Sequence, residues 1–174
     1  MTENETGSND EFIDNFRQHL SKVDELSNVI LKGHIEVEGH LDDVVDLIFF
    51  RPEFLRELRL GFYQKVQLAK AYCPDPAAKD WEVIRSLSEV RNSIAHREIA
   101  HARASRLTKL RETMSGWGSA TFRKEVKVAD EREVVVLATA VCCGFLIYVE
   151  DSVRKVRTTV AKSLDVPDPP EPKE

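Results

Sequence analysis

Glycine and proline are scarce, with seven of each in 174 residues. So few turn formers favour long helices over many short strands. Cysteine is scarcer still: Cys73, Cys142 and Cys143 make an odd set with one adjacent pair and no C-x-x-C spacing. That pattern excludes a disulfide framework and a zinc site, and reads as small buried side chains in a reducing compartment. No charged segment followed by an apolar one opens the sequence, so no signal peptide is expected. Glycine-rich phosphate loops, a nucleophile elbow and a zinc-binding helix signature are missing too. The net charge of -5 argues against a surface that coats nucleic acid all over, while leaving room for a local basic site.

What is present suits a soluble globular protein: 42% hydrophobic and 32% charged residues. Residues 1–8 are polar without apolar periodicity and are expected to be frayed. Residues 9–164 are expected to form one helical domain, and residues 165–174, with prolines from Pro167 to Pro172, a disordered or extended tail. The longest apolar run, Val134 to Val149, is shorter than the ~18 residues that usually mark a spanning helix and contains Thr139 and Gly144. It reads as a buried helix of a cytoplasmic protein, with no membrane partner.

Helical spacing links Phe12, Phe16, Leu20 and Val23, extends through Leu26, Val29 and Ile30, and resumes from Ile35 to Phe49. Gly33 and Gly39 each weaken a helix by roughly 1 kcal/mol relative to Ala. They mark either a close approach of another backbone or a bend. Arg51-Pro52 should end this helix. A short helix or turn follows at Phe54, Leu55 and Leu58. An amphipathic segment from Phe62 to Tyr72 is stopped by Pro74-Asp75-Pro76. Asp80 is placed to cap the next helix, whose stripe is Val83, Leu87, Val90 and Ile94. Residues 97–112 read as a charged helix, 116–119 as a turn, and 122–128 as a short strand or an extended connector. Asp130 opens a last long helix reaching about Leu164. The expected fold is therefore all-α, a bundle of four to five main helices.

At the C-terminal end of a central helix stands Arg91-Asn92-Ser93-Ile94-Ala95-His96. Arginine offers a fixed fork of donors to a phosphoryl group, and histidine carries a proton near neutral pH. Together with an amide they suit phosphodiester chemistry without a metal. Residues five apart on a regular helix point about 140° apart. Arg91 and His96 thus converge only if the helix ends or distorts between them, or if a two-fold partner brings the paired groups together. The same residues also suit an ordinary helix C-terminus, where cations meet the macrodipole favourably. Positive charge gathers beside the motif at Arg85, Arg97, Arg103, Arg106, Lys109 and Arg111, opposed only by Glu89 and Glu98. A polyanion would be drawn there, and Arg85, Arg97, Arg103 and Arg106 are the candidate RNA contacts. The alternative is a solvated helix face.

Arg91-Asn92-x-x-x-His96, near a helix end in a small helical chain, resembles the R-x4-6-H signature of the HEPN superfamily, including the polar residue after the arginine. Residues 33–50 and 61–72 resemble the branch related to the mannitol-operon repressor, so the similarity spans roughly residues 30–110. The resemblance implies a metal-independent endoribonuclease with no cofactor, in which the ribose 2′-hydroxyl attacks the neighbouring phosphorus. It leaves a 2′,3′-cyclic phosphate and a 5′-hydroxyl. Arg91 would stabilise charge on the phosphoryl oxygens, His96 would move the proton or orient the hydroxyl, and Asn92 would position one of them. The implied partners are RNA, a second copy of the chain, and an antitoxin or regulatory protein in a toxin or defence setting. The same branch implies an alternative, a non-catalytic helical regulator.

Two further features stand out. His34, Glu36, Glu38 and His40 include pairs at the i, i+4 spacing that shares a helix face. No second helix carries the Glu-x-x-His pattern of a di-iron bundle, so they read as solvent-facing or interhelical polar contacts rather than a metal site. Trp117, between two glycines, reads as a loop anchor, with base stacking the alternative.

Overall fold

The computed structural model describes Asp14, residues 25–95 and residues 100–165. Apart from Asp14, the helix expected around Phe12 to Val23 lies outside these, as does the proline-rich segment from Pro167. Among the described residues there are seven helices and no strand. The all-α fold class is what the sequence predicts.

The first helix, α1 (Glu25–Ile48), runs unbroken through both glycines. The two differ in surroundings. A β-carbon at Gly33 would collide with the Thr139 hydroxyl, whereas one at Gly39 would meet open space. Gly33 is thus the close approach that lets α1 lie along the last helix, α7 (Glu131–Leu164), which forms the largest interhelical contact. At 34 residues α7 is about 51 Å long. Asp130 caps it, accepting a 2.8 Å hydrogen bond from the Glu133 amide. Val134, Val135, Ala138, Cys142, Leu146, Val149 and Val153 fill the core from one face of α7. The opposite face leaves Ile147 47% and Tyr148 65% exposed, so the apolar run is buried along one side only. By length and composition α7 would be able to cross a membrane.

Arg157 of α7 locks the far end of α1. Its Nη1 donates to the carbonyls of Asp46 (3.2 Å), Leu47 (2.8 Å) and Phe49 (2.8 Å), and its guanidinium lies 5.2 Å from the Phe50 ring centroid. These are carbonyls that a terminating helix leaves without partners. The chain breaks at Arg51-Pro52 as expected, makes the single turn α2 (Glu53–Arg56), and enters α3 (Phe62–Tyr72), where the Gly61 amide donates 2.8 Å to the Gln64 side chain.

The central helix α4 (Asp80–Ala95) buries Trp81, Val83, Ile84, Leu87 and Val90, and packs on α1, α7 and α5 (Ala100–Ser115). Trp81 meets Phe145 of α7 edge-on at 4.9 Å. The turn after α5 is pinned by Trp117, whose Nε1 donates 3.0 Å to the Asp80 carboxylate and whose ring packs edge-on against Phe122. That is an anchor's role. Residues 122–128, expected as strand or extended connector, instead belong to helix α6 (Ala120–Val128). The Ser119 hydroxyl accepts from the Phe122 amide at 3.1 Å and caps it. Phe122 and Val126, four apart, then share the face turned to the core.

Candidate functional site

Helices α3 and α4 both pack on α1. Between them they leave an open cleft of about 560 Å³. Its α4 wall is the face repeating at helical spacing, Arg85, Ser88, Glu89 and Asn92, with Arg91 beside it. Its α3 wall carries Phe62, Tyr63, Gln67 and Lys70, and α1 contributes His34 and Glu38. Two of the three motif side chains therefore open on one concave surface rather than into the core. Both are half-buried, and Arg91 Nη1 lies 3.4 Å from Asn92 Oδ1.

The regular helix extends to Ala95, while His96 and Arg97 lie outside the described residues. The remaining arginines divide. Arg85 is exposed on the cleft rim, 3.8 Å from Glu89. Arg103 and Arg106 are half-buried and serve as ties between helices. Arg103 donates 3.1 Å to the Ser27 hydroxyl of α1, and Arg106 donates 2.9 Å to the Glu89 carbonyl of α4. Arg106 thereby fixes the backbone two residues before Arg91. Arg111 likewise bonds the Val126 and Ala129 carbonyls at 2.7 Å each. Of the described arginines read from the sequence, Arg85 and Arg91 are those that line the cleft. Lys70 joins them from α3, a contribution that the sequence pattern around the motif does not show.

A histidine outside the motif, His34, lines the same cleft as Arg91. His34 is buried, 5% exposed, and packs against Phe62 with the rings tilted by 37° and centroids 4.4 Å apart. Its Nδ1 stands 3.9 Å from Glu38 Oε2, too far for a hydrogen bond but within ion-pair range. Burial, then the Arg91 charge, then Lys65 lower the imidazole pKa below its ordinary 6.5; Glu38 opposes them without prevailing. Glu38 is itself held by Lys65, whose Nζ lies 2.9 Å from Glu38 and 2.7 Å from Asp42. Burial lowers the Lys65 pKa, but its hydrogen bonds to Asp42 and Glu38 outweigh that and raise it. Glu36, by contrast, is exposed, and no cluster of three metal-ligating side chains occurs among the described residues.

The cleft thus joins cations for an anionic group, the carboxylates Glu38 and Glu89, amide and hydroxyl groups for orientation, an exposed aromatic ring in Tyr63 and an imidazole whose neutral form is favoured. This set suits a nucleotide phosphate better than an apolar ligand. No protein-family model, curated protein sequence or solved structure matches the chain.

Proposed function

We propose that this protein is a HEPN-like, metal-independent endoribonuclease whose site is the cleft between α1, α3 and α4. The observation that carries the proposal is that Arg91 and Asn92 open together into a cleft lined by further cations, Arg85 and Lys70. Arg91 holds the phosphoryl oxygens and stabilises the charge that builds on them, Asn92 orients the reacting group, and His96 moves a proton or orients the 2′-hydroxyl. Arg85, with Arg97 across the motif, draws the flanking phosphates. Arg103 and Arg106 contribute charge from α5, while Arg106 braces the motif helix and Arg103 ties α5 to α1. The partner is single-stranded RNA, and the working unit is a homodimer in the cytoplasm, within a toxin or defence system that supplies an antitoxin or regulatory protein.

The test is cleavage of varied RNAs by purified protein in excess EDTA, comparing wild type with Arg91→Ala, Asn92→Ala and His96→Ala. Cleavage that leaves 2′,3′-cyclic phosphate ends and is abolished at Arg91 and His96 supports the proposal. Folded wild type that cuts no RNA, or variants that cut normally, overturn it.

A specific observation favours a second reading. Val136, Ile147 and Tyr148 lie exposed on α7. Large apolar side chains exposed on a surface helix suit a protein contact. In this reading the chain is a non-catalytic helical regulator related to the mannitol-operon repressor branch, and α7 is its interface. Wild type that cuts no RNA but self-associates through α7, with Tyr148→Glu returning it to monomer, favours this reading.

A further inference from the structure

The ribonuclease reading gives proton handling to His96, yet the imidazole that shares Arg91's cleft is His34. The two come from different helices. His34 lies on α1 because α1 repeats its buried stripe at Ile30, Gly33, His34, Val37 and Leu41, and the α3–α4 gap opens over the middle of that stripe. Nδ1 lies on the Glu38 side, 3.9 Å from that carboxylate, and Nε2 is the other ring nitrogen. The Phe62 ring packs against one side of the imidazole and restricts its rotation.

We propose that His34 is a catalytic base of this site, taking the 2′-hydroxyl proton of an RNA nucleotide whose phosphate is held by Arg91. The inference rests on the ribonuclease reading and adds to it a residue outside the motif. The hydroxyl proton passes to His34 Nε2 as the O2′–P bond forms. The P–O5′ bond breaks, and the 5′ oxygen takes a proton from water at the open cleft mouth. His34 then returns its proton to solvent, so the products are a 2′,3′-cyclic phosphate and a 5′-hydroxyl. His96 is left with the orienting role.

The surroundings suit this task at each stage. Before reaction, burial and the cations Arg91 of α4 and Lys65 of α3 favour neutral imidazole, the form that accepts a proton. Once a phosphodiester neutralises Arg91, part of that pressure is removed and the imidazole becomes a stronger base. Glu38, held by Lys65, steadies the imidazolium that forms. The other charged groups on the cleft walls are Lys70 of α3 and Arg85 and Glu89 of α4; Arg85 and Glu89 are within 3.8 Å of each other.

Two measurements on the full chain test the proposal. The first follows the His34 ring signal by NMR across pH in wild type, with and without uridine 3′-monophosphate, assigning it by through-bond correlation to the assigned backbone. The His34 pKa is expected to lie below 6.5 in free protein and to rise when the nucleotide binds, with no such rise in Arg91→Gln. The second is the pH dependence of kcat/KM for single-stranded RNA cleavage in EDTA. Wild type should lose activity as pH falls through the His34 value, and His34→Gln should lose about 100-fold or more together with that acidic limb. Cleavage by His34→Gln within threefold of wild type, with the same acidic limb, overturns the base assignment and leaves the ribonuclease reading intact. A His34 signal indifferent to the nucleotide overturns the assignment even if His34→Gln fails to fold. Absence of cleavage by folded wild type overturns both.

Discussion

Arg91 of α4 and His34 of α1 line the same cleft, and the guanidinium charge helps hold the imidazole neutral. This relationship joins the motif helix to the helix beneath it. It also makes the site's electrostatics accessible to measurement without a substrate.

The first consequence concerns stability against pH. His34 has a lower pKa in the folded protein than its ordinary 6.5, so the unfolded chain binds the proton more readily. Its stabilising contribution is complete above 6.5 and is lost as pH falls from there toward the folded value. Chemical denaturation of wild type at a series of pH values should show a loss of stability over that window. Replacing Arg91 by Gln removes a cation from beside the imidazole, raises the folded value and should shrink the loss. An unchanged slope in Arg91→Gln contradicts the coupling.

The two glycines of α1 should respond oppositely to alanine. At Gly39 a methyl group meets open space, so Gly39→Ala should stabilise by about 0.5–1 kcal/mol through helix propensity. At Gly33 the methyl collides with the Thr139 hydroxyl, and Gly33→Ala should destabilise by about 1–3 kcal/mol. Thr139 is itself bonded to the Val135 carbonyl at 2.9 Å, which limits its ability to swing away. Adding Thr139→Ala should recover most of the Gly33→Ala loss, as read by urea melts of the double-mutant cycle.

Arg157 holds the end of α1 through three carbonyls while only 8% exposed. Arg157→Ala strips those carbonyls of a charged donor and should cost about 2–4 kcal/mol. Arg157→Lys retains charge but not the planar fork, and should restore only part of that. Thermal melts that place Arg157→Ala at the wild-type midpoint contradict this role.

The fold was legible where punctuation was strong. Pro52, the Pro74–Pro76 pair and Asp130 mark helix limits by removing an amide or supplying a cap, and the helices begin and stop beside them. Over 122–128 the punctuation was weaker. The segment is short, and Gly116-Trp117-Gly118-Ser119 has the composition of a turn, although the Ser119 hydroxyl is the cap that starts α6. The i, i+4 pairing of Phe122 with Val126 was the remaining signal. At the candidate cleft, the shared placement of Arg91, Asn92 and Arg85 was legible because they share one helix. His34 and Lys70 were not, since only the packing of α1 and α3 beside α4 brings them to the cleft. The spacing of His34 and Glu38 was visible, but spacing within one helix does not say which neighbour it faces. A count of arginines near the motif likewise could not reveal that Arg103 and Arg106 are tied to Ser27 and the Glu89 carbonyl.

The claim that the α1–α3–α4 cleft meets RNA is tested most directly by the affinity of folded protein for a short single-stranded RNA across salt concentrations. Wild type should be compared with Lys70→Glu/Arg85→Glu on the cleft walls and with Lys124→Glu/Lys155→Glu, exposed outside the cleft. The account predicts a loss of about tenfold or more and a shallower salt slope for the cleft pair, with the outer pair within about twofold of wild type. Equal losses in both pairs, or wild type that binds no RNA at low salt, would contradict it.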